Sequence, residues 1–360
     1  MGSQPGTRRA GAATIAGPVV PVGSRPVEPL RIGTLGAARI TPAALCKPAA
    51  RFPGAEVVAV AARDEARAQK FATKHGIATV HSSYEALLAD PNVEAVYNPL
   101  PNGLHGTWTL AALAAGKHVL CEKPFTANAE EAKQVAAAAS ASGLVVVEAF
   151  HYRYHPLVTR LLEIIGDELG PIRRVETRMC IPLPMRNDIR YDLALAGGAL
   201  MDVGCYAIHQ LRTLAGAEPD VVSAEAKTIR PGVDRWAKAE MRFADGSTGG
   251  IECALLSGKV LTLGARVEGE RGELKVTNLT GPQYYHRVVV KKRDPRSGVS
   301  ARRSEKVKGE STYWYQLEAF TKAVREGGPV LTPPADSIAN MEVIDAVYRA
   351  AGLDPREPTR

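Results

Sequence analysis

A chain of 360 residues can hold two domains with a sizeable core in each, and 45% apolar with 23% charged residues is ordinary globular composition. No run approaches the roughly 20 uninterrupted apolar residues that a membrane helix needs, which excludes a helical membrane protein. The net charge of +7 is carried entirely by one stretch, residues 287–308, which speaks against a nucleic-acid face spread over a fold.

Residues 1–29, rich in Gly, Pro, Ala and Arg, lack apolar periodicity and read as a disordered leader. Arg8-Arg9 raises the alternative of a twin-arginine export signal, but the following stretch is weakly hydrophobic and broken by Gly17, Pro18 and Pro21, so an untargeted tail is favoured. Residues 30–35 form a short apolar strand ending at Gly36-Ala37-Ala38-Arg39-Ile40, after which Thr41-Pro42 offers an N-cap and a first-turn proline for a helix reaching Phe52. Residues 56–62 are β-branched and continuous, as a strand covered on both faces should be. Asp64 caps a helix over 65–75 that Gly76 stops. Ser82-Ser83-Tyr84-Glu85 carries capping-box spacing before another helical turn. Strand 95–100, helix 104–115, strand 118–121, helix 128–142 and strand 144–150 complete the first half. Such alternation predicts an N-terminal parallel sheet wound on both faces, with ligands at the carboxyl ends of its strands.

The second half reads differently. Longer strands are expected over 171–181, 221–229, 236–243 and 247–256, with Asp245-Gly246 as a hairpin turn between the last two. Helices are expected over 199–214, 311–326 and 336–351. This predicts a C-terminal α/β domain with a large, mostly antiparallel sheet, giving a dinucleotide-binding domain over 30–150 and a substrate and dimerisation domain over 151–360. The nine basic residues Arg287, Lys291, Lys292, Arg293, Arg296, Arg302, Arg303, Lys306 and Lys308, against Asp294 and Glu305, follow a strand-like Val288-Val289-Val290 and read as a solvated hairpin loop. The scattered cysteines Cys46, Cys121, Cys180, Cys205 and Cys253 read as reduced, mostly buried thiols of a cytoplasmic protein, with no metal-ligand spacing.

Four constellations carry chemistry. The turn Gly36-Ala37-Ala38-Arg39-Ile40 sits where a pyrophosphate would rest on a helix N-terminus, although its middle glycine is Ala38. At the tip of the second strand an NAD-binding protein normally presents a carboxylate to the ribose; here stand Ala62 and Arg63, with Arg67 one turn on, a pair suited to fork around a 2′-phosphate. That indicates NADP(H), the alternative being surface charges on an exposed helix. Cys121-Glu122-Lys123-Pro124 places a lysine at a strand tip, where a nicotinamide would lie. Asp202, Tyr206 and His209 share one helical face after Gly197-Gly198; by spacing alone a polar surface stripe is an equal reading.

Together with Pro101-Asn102-Gly103-Leu104-His105 and residues 57–64, these segments resemble the glucose-fructose oxidoreductase / inositol dehydrogenase (Gfo/Idh/MocA) family over all of the chain beyond the leader. Tyrosine rather than histidine at 206 resembles its NADP-using branch, that of dihydrodiol and D-xylose dehydrogenases. The resemblance implies that Lys123 lies beside substrate and nicotinamide. It further implies cofactor contacts from Leu100, Pro101, Asn102, His105 and Glu122, and a homodimer or homotetramer built through the second sheet. The expected activity is hydride transfer between NADP(H) and a C–OH or C=O of a small cyclic polyol, sugar or dihydrodiol. Tyr206 is expected to transfer the proton, Lys123 to favour its phenolate, Asp202 to orient, and Tyr154, Arg190 or His209 to stand on the substrate side. The alternatives are an NAD(P)-assisted glycosidase or epimerase of the same fold and a non-catalytic NADP-sensing regulator.

Overall fold

The computed structural model describes residues 28–185, 187–259, 261–293 and 300–359, so all but the last two residues of the expected leader lie outside the described residues. Six strands, β1 (Leu30–Leu35), β2 (Ala55–Ala61), β3 (Thr79–His81), β4 (Ala95–Asn98), β5 (His118–Cys121) and β6 (Val146–Glu148), form a sheet in the order β3-β2-β1-β4-β5-β6. Every pairing in it is parallel. The order reverses beside β1, so the crevice between the β1 and β4 tips is where such a sheet accepts a ligand. The helix Glu65–His75 starts at Asp64, whose carboxylate accepts from Arg67 N at 3.0 Å, and stops at Gly76 with φ +69°.

Some local expectations fail for identifiable reasons. Thr41 is itself helical and caps nothing; its buried Oγ1 has no partner. Ser83, not Ser82, caps the helix Tyr84–Ala89, accepting from Ala86 N. Strand β3 is too short for a periodic signal, whereas the helix Pro156–Ile164 does carry one, with Leu157, Val158, Leu161 and Ile164 buried at helical spacing, and the sequence reading passed over it.

The second sheet has eight strands: β7 (Ile172–Cys180), β8 (Asp220–Arg230), β9 (Val233–Arg242), β10 (Thr248–Ala254), β11 (Thr262–Gly269), β12 (Gly272–Thr277), β13 (Arg287–Arg293) and β14 (Ser300–Glu305). Their order is β14-β13-β12-β11-β7-β10-β9-β8, antiparallel except where β7 meets β10. The helix Cys205–Ala215 packs on the inner face, where Val175, Met179, Ile251, Cys253 and Val267 point. Alternation puts Arg174, Glu176, Glu240, Arg266 and Glu273 on the other face, paired with one another as an ionic lattice. The described parts of the basic segment are two antiparallel strands at the sheet edge, β13 and β14, rather than a solvated loop; Asp294 and Arg296 lie outside the described residues. Arg303 forks onto Glu168 at 2.7 Å from each nitrogen, and Lys292 reaches the same carboxylate at 2.8 Å. These two cations, Arg303 foremost, hold the pKa of Glu168 at about 2.

The chain's end returns to the first sheet. Leu317 and Phe320, from the helix Thr312–Glu326, pack with Leu30, Ile32, Leu45 and Leu120, so a boundary near 150 separates the sheets but not their cores. Beyond the helix Pro334–Ala350, Arg356 donates to buried Asp234 at 2.7 Å and to Gly197 O at 2.8 Å, and Thr359 N donates to Gly103 O. Asp234, fully buried, also accepts from Leu200 N at 2.7 Å and Tyr348 Oη at 3.0 Å. Removing the cation leaves that carboxylate buried and unpaired, so Arg356→Met is expected to cost about 3–5 kcal/mol in a denaturant titration. An unchanged midpoint would count against this role.

Candidate functional site

A cleft of about 1380 Å³ runs between the carboxyl ends of the first sheet and one end of the second. Its nucleotide end is built from small residues. Gly36 has φ +97°, which an L side chain rarely adopts, and Ala37 and Ala38 keep the turn's backbone open to the cleft. Arg63 and Arg67 line the same end. Arg67 donates one nitrogen to Ala37 O at 2.6 Å, holding its guanidinium against the turn, while the carboxylate nearest the β2 tip, Asp64, is engaged as a helix cap. The donor set therefore fits a dinucleotide bearing a 2′-phosphate: exposed backbone for a pyrophosphate, and two guanidiniums where a carboxylate would repel.

All of the sequence-predicted cofactor residues, Gly36, Ala37, Ala38, Arg39, Ile40, Arg63, Arg67, Leu100, Pro101, Asn102, His105, Glu122 and Lys123, line the cleft. His105 does so as a clamp. Its two ring nitrogens lie 2.6 Å from Pro124 O and 2.7 Å from Leu100 O, tying the β4 exit to the Lys123–Pro124 turn, whose peptide is cis. Burial pushes its pKa down to about 4. Glu122, buried in the cleft wall, accepts from Tyr97 Oη at 2.6 Å.

The chemical centre joins the two halves of the molecule. Lys123 Nζ donates to the Asp202 backbone carbonyl at 2.8 Å and lies 3.5 Å from Asp202 Oδ1. Burial opposes the ammonium, but Asp202 and Glu122 outweigh it and raise the lysine pKa. The other oxygen of Asp202 lies 3.2 Å from Arg190 Nε, so one carboxylate holds two cations. Asp202 sits in a wide turn, Leu200–Gly204, closed by Cys205 N donating to Leu200 O. Such turns recur at functional sites because they re-aim a side chain within a helix.

Tyr206 follows one turn later, 5% exposed, with Lys123 Nζ 5.0 Å from its ring centroid. The lysine faces the ring, where its ammonium would favour the phenolate, but the net balance runs the other way. Burial dominates, reinforced by Tyr313 and Glu122, and raises the phenol pKa well above its ordinary value.

Two expected substrate-side residues lie elsewhere. Tyr154 is not in the cleft wall; its hydroxyl pairs with Thr332 Oγ1 at 2.9 Å. His209 is buried behind Phe150, on which it stacks at 4.0 Å. It lies 2.6 Å from Tyr152 Oη and 2.8 Å from Asp336 Oδ2. Burial lowers its pKa, so a neutral ring donates from Nε2 to Asp336 and accepts from Tyr152 at Nδ1. Arg190 does line the cleft.

Sequence reasoning passed over Tyr84, His151, Tyr313 and a loop at 278–285, all in the cleft wall. His151 hydrogen-bonds Thr312 Oγ1 at 2.7 Å and packs on Tyr313 at 4.1 Å; burial takes its pKa to about 3. Its place directly after Phe150, at the exit of a parallel strand, was the signal that pointed to it.

Comparison with known proteins agrees with this geometry. Residues 30–150 match the family described as "Oxidoreductase family, NAD-binding Rossmann fold", and residues 160–275 match "GFO/IDH/MocA C-terminal domain". The chain is 36% identical over 331 residues to D-xylose 1-dehydrogenase (NADP(+)) 2 of Haloferax volcanii, spanning 89% of this chain and 97% of that protein. It is 37% identical over 224 residues to trans-1,2-dihydrobenzene-1,2-diol dehydrogenase of Sus scrofa, spanning 61% of this chain and 66% of that one. A 3-ketoreductase from Actinomadura kijaniata, crystallised with NADP and TDP-benzene, superposes with a TM-score of 0.82 at 29% identity, over 89% of this chain and 98% of that one. Domain matches in chain order, together with a relative that is more than 30% identical across nearly its whole length, establish that the chain belongs to the Gfo/Idh/MocA oxidoreductase family.

Proposed function

We propose that this protein is an NADP(H)-dependent oxidoreductase that interconverts a C–OH and a C=O on a small cyclic polyol, sugar or dihydrodiol. The observation that carries the reading is the meeting of Lys123, Asp202 and Tyr206 in the cleft that the paired arginines line at its other end. The bound nicotinamide supplies or accepts the hydride. Gly36 to Ile40 and the arginines hold the dinucleotide, while Lys123 stabilises negative charge developing on the substrate oxygen. Asp202 fixes the lysine, and through Arg190 the wall opposite. Tyr206 donates the proton when a carbonyl is reduced and receives it when an alcohol is oxidised. The same reading places the enzyme in the cytoplasm as a homodimer or homotetramer, with the alternating charges of the second sheet's outer face able to pair with their symmetry mates.

Tyr206→Phe keeps the ring while removing the acidic hydroxyl, and should lower turnover by roughly 10²–10⁴ while leaving NADPH affinity nearly unchanged. Lys123→Met should be as damaging, and the double variant much less than additive. Near-normal turnover in both single variants would end this assignment.

The raised phenol pKa predicts an asymmetric pH response. The protonated form persists across neutral pH, so carbonyl reduction should stay flat from pH 6 to 9, whereas alcohol oxidation, which needs the deprotonated form, should climb with pH throughout. Steady-state profiles in both directions test this, and an oxidation plateau near neutrality would contradict it.

For the cofactor, fluorescence titration should show NADPH bound at least about tenfold more tightly than NADH, with Arg63→Ala and Arg67→Ala narrowing the gap. Equal affinities in the unaltered protein would overturn the 2′-phosphate assignment.

A further inference from the structure

The substrate end of the cleft carries an apolar and aromatic rim. Tyr284 is 76% exposed, Tyr285 50%, Leu261 55% and Ile189 56%, and all four line the cleft. Register explains their meeting. Thr262 pairs with Cys180 and Gly264 with Thr277, so the chain entering β11, the chain leaving β12 and the chain leaving β7 emerge at one end of the sheet.

The loop that presents the two tyrosines is held in place. Asn278, at φ +52°, donates from Nδ2 to Gly281 O and Tyr285 O, each at 2.8 Å, and accepts from Gly281 N at 3.0 Å. His286 accepts from Val307 N at Nε2, which leaves Nδ1 to donate to Pro282 O at 2.9 Å. Two large rings left in water on a braced loop form a ready surface whose ordering cost is already met. Gln283, beside them in the loop, also lines the cleft, and its Oε1 is buried with no hydrogen-bond partner.

Charge is distributed the other way. Among the described cleft-lining residues, the cations are Arg63 and Arg67 at the nucleotide end, Lys123, held by Asp202, and Arg190 and Arg39, which lie 3.1 and 3.8 Å from Asp188 on the Ile189 side of the cleft. None stands on the loop of Tyr284 and Tyr285. A diphosphate lying against that loop would meet rings and aliphatic side chains, and the cations on the Ile189 side, Arg190 and Arg39, are already paired with Asp188 and Asp202.

We infer that Tyr284, Tyr285, Leu261 and Ile189 form a subsite for a flat, uncharged group attached to the reacting ring, so that the substrate is an aryl-type glycoside rather than a free sugar or a nucleotide sugar. The inference rests on the oxidoreductase reading above. Its test compares NADP⁺-linked oxidation of phenyl and methyl glycosides of D-xylose and D-glucose, in both anomers, with the free sugars and a thymidine-diphosphate sugar. Stacking on the rings should raise kcat/KM for the best phenyl glycoside about tenfold over its methyl counterpart. In the Tyr284→Ala, Tyr285→Ala double variant that ratio should fall to near one. A ratio near one in the unaltered enzyme, a ratio unmoved in the variant, or a thymidine-diphosphate sugar outperforming the phenyl glycoside would each overturn the subsite while leaving the oxidoreductase reading intact. NADPH binding without turnover of any compound in the panel, in either direction, would overturn that reading and the subsite with it.

Discussion

The geometry of the cleft depends on a fully buried carboxylate. Asp234, on β9, accepts from the Leu200 backbone, from Tyr348 and from Arg356 at once, and so anchors the start of the turn that carries Asp202 to a strand of the second sheet and to the chain's last residues. A buried charge tolerates this only when its hydrogen bonds are complete. The requirement propagates outward. A Cβ at Gly198, whose φ is +139°, would lie 2.1 Å from Asp234 Oδ1, and one at Gly197 would lie 2.7 Å from the carbonyls of Arg190 and Asp192. Gly198 therefore serves packing against this carboxylate, and Gly197 the close approach of the Arg190–Asp192 backbone.

Once that turn is set, a second economy appears at the chemical centre. Asp202 is the single anion between Lys123 and Arg190, and the lysine's shortest bond is to a backbone carbonyl, which stays polar whatever the protonation state around it. The phenol of Tyr206 is surrounded instead by Phe150, Tyr152 and His151. Apolar and aromatic walls keep the hydroxyl protonated, while the adjacent polar bonds keep the ammonium charged; the two groups thus stand ready as proton donor and electrostatic stabiliser. Behind Phe150, the chain Tyr152–His209–Asp336–Arg212 satisfies a layer of buried polar groups. Despite burial, His209 and Arg212 keep Asp336 at about 2, so this layer holds its charges and braces the helix from the rear.

Much of the nucleotide half was legible because its signals are local. The observed bounds of β1 and of the helix Glu65–His75 follow from an apolar run, an aspartate cap and a stopping glycine, all neighbours in sequence. The triad of Lys123, Asp202 and Tyr206 was also foreseen, though the spacing of 202, 206 and 209 suggested one working face. It misled over His209, because the stacked ring of Phe150 covers that residue and its nitrogens are taken up by Tyr152 and Asp336, while the wide turn at Leu200–Gly204 re-aims Asp202 alone. The strands β11, β12 and β14 were missed for a related reason. In β11 and β12 charged outer positions such as Arg266 and Glu273 pair across the strands, and in β14 Arg303 and Glu305, in register with Val290 and Val288, pair with Glu168 and Arg160, so none of the three reads as a long apolar alternation.

The two ends of the cleft are built by different means, and this decides what a sequence can disclose. At the nucleotide end the backbone itself faces the ligand, which demands small residues and a positive φ at stated positions in one turn; that demand leaves a spacing that can be read. At the substrate end side chains do the facing, carried by the exits of β7 and β12 and the entry to β11, and only the strand register brings residues 189, 261 and 284 to one rim. No fixed interval in the chain encodes such a meeting. A family scaffold can thus keep its cofactor end recognisable while the other end changes residue by residue, and the identity of the substrate follows from which side chains the register gathers there.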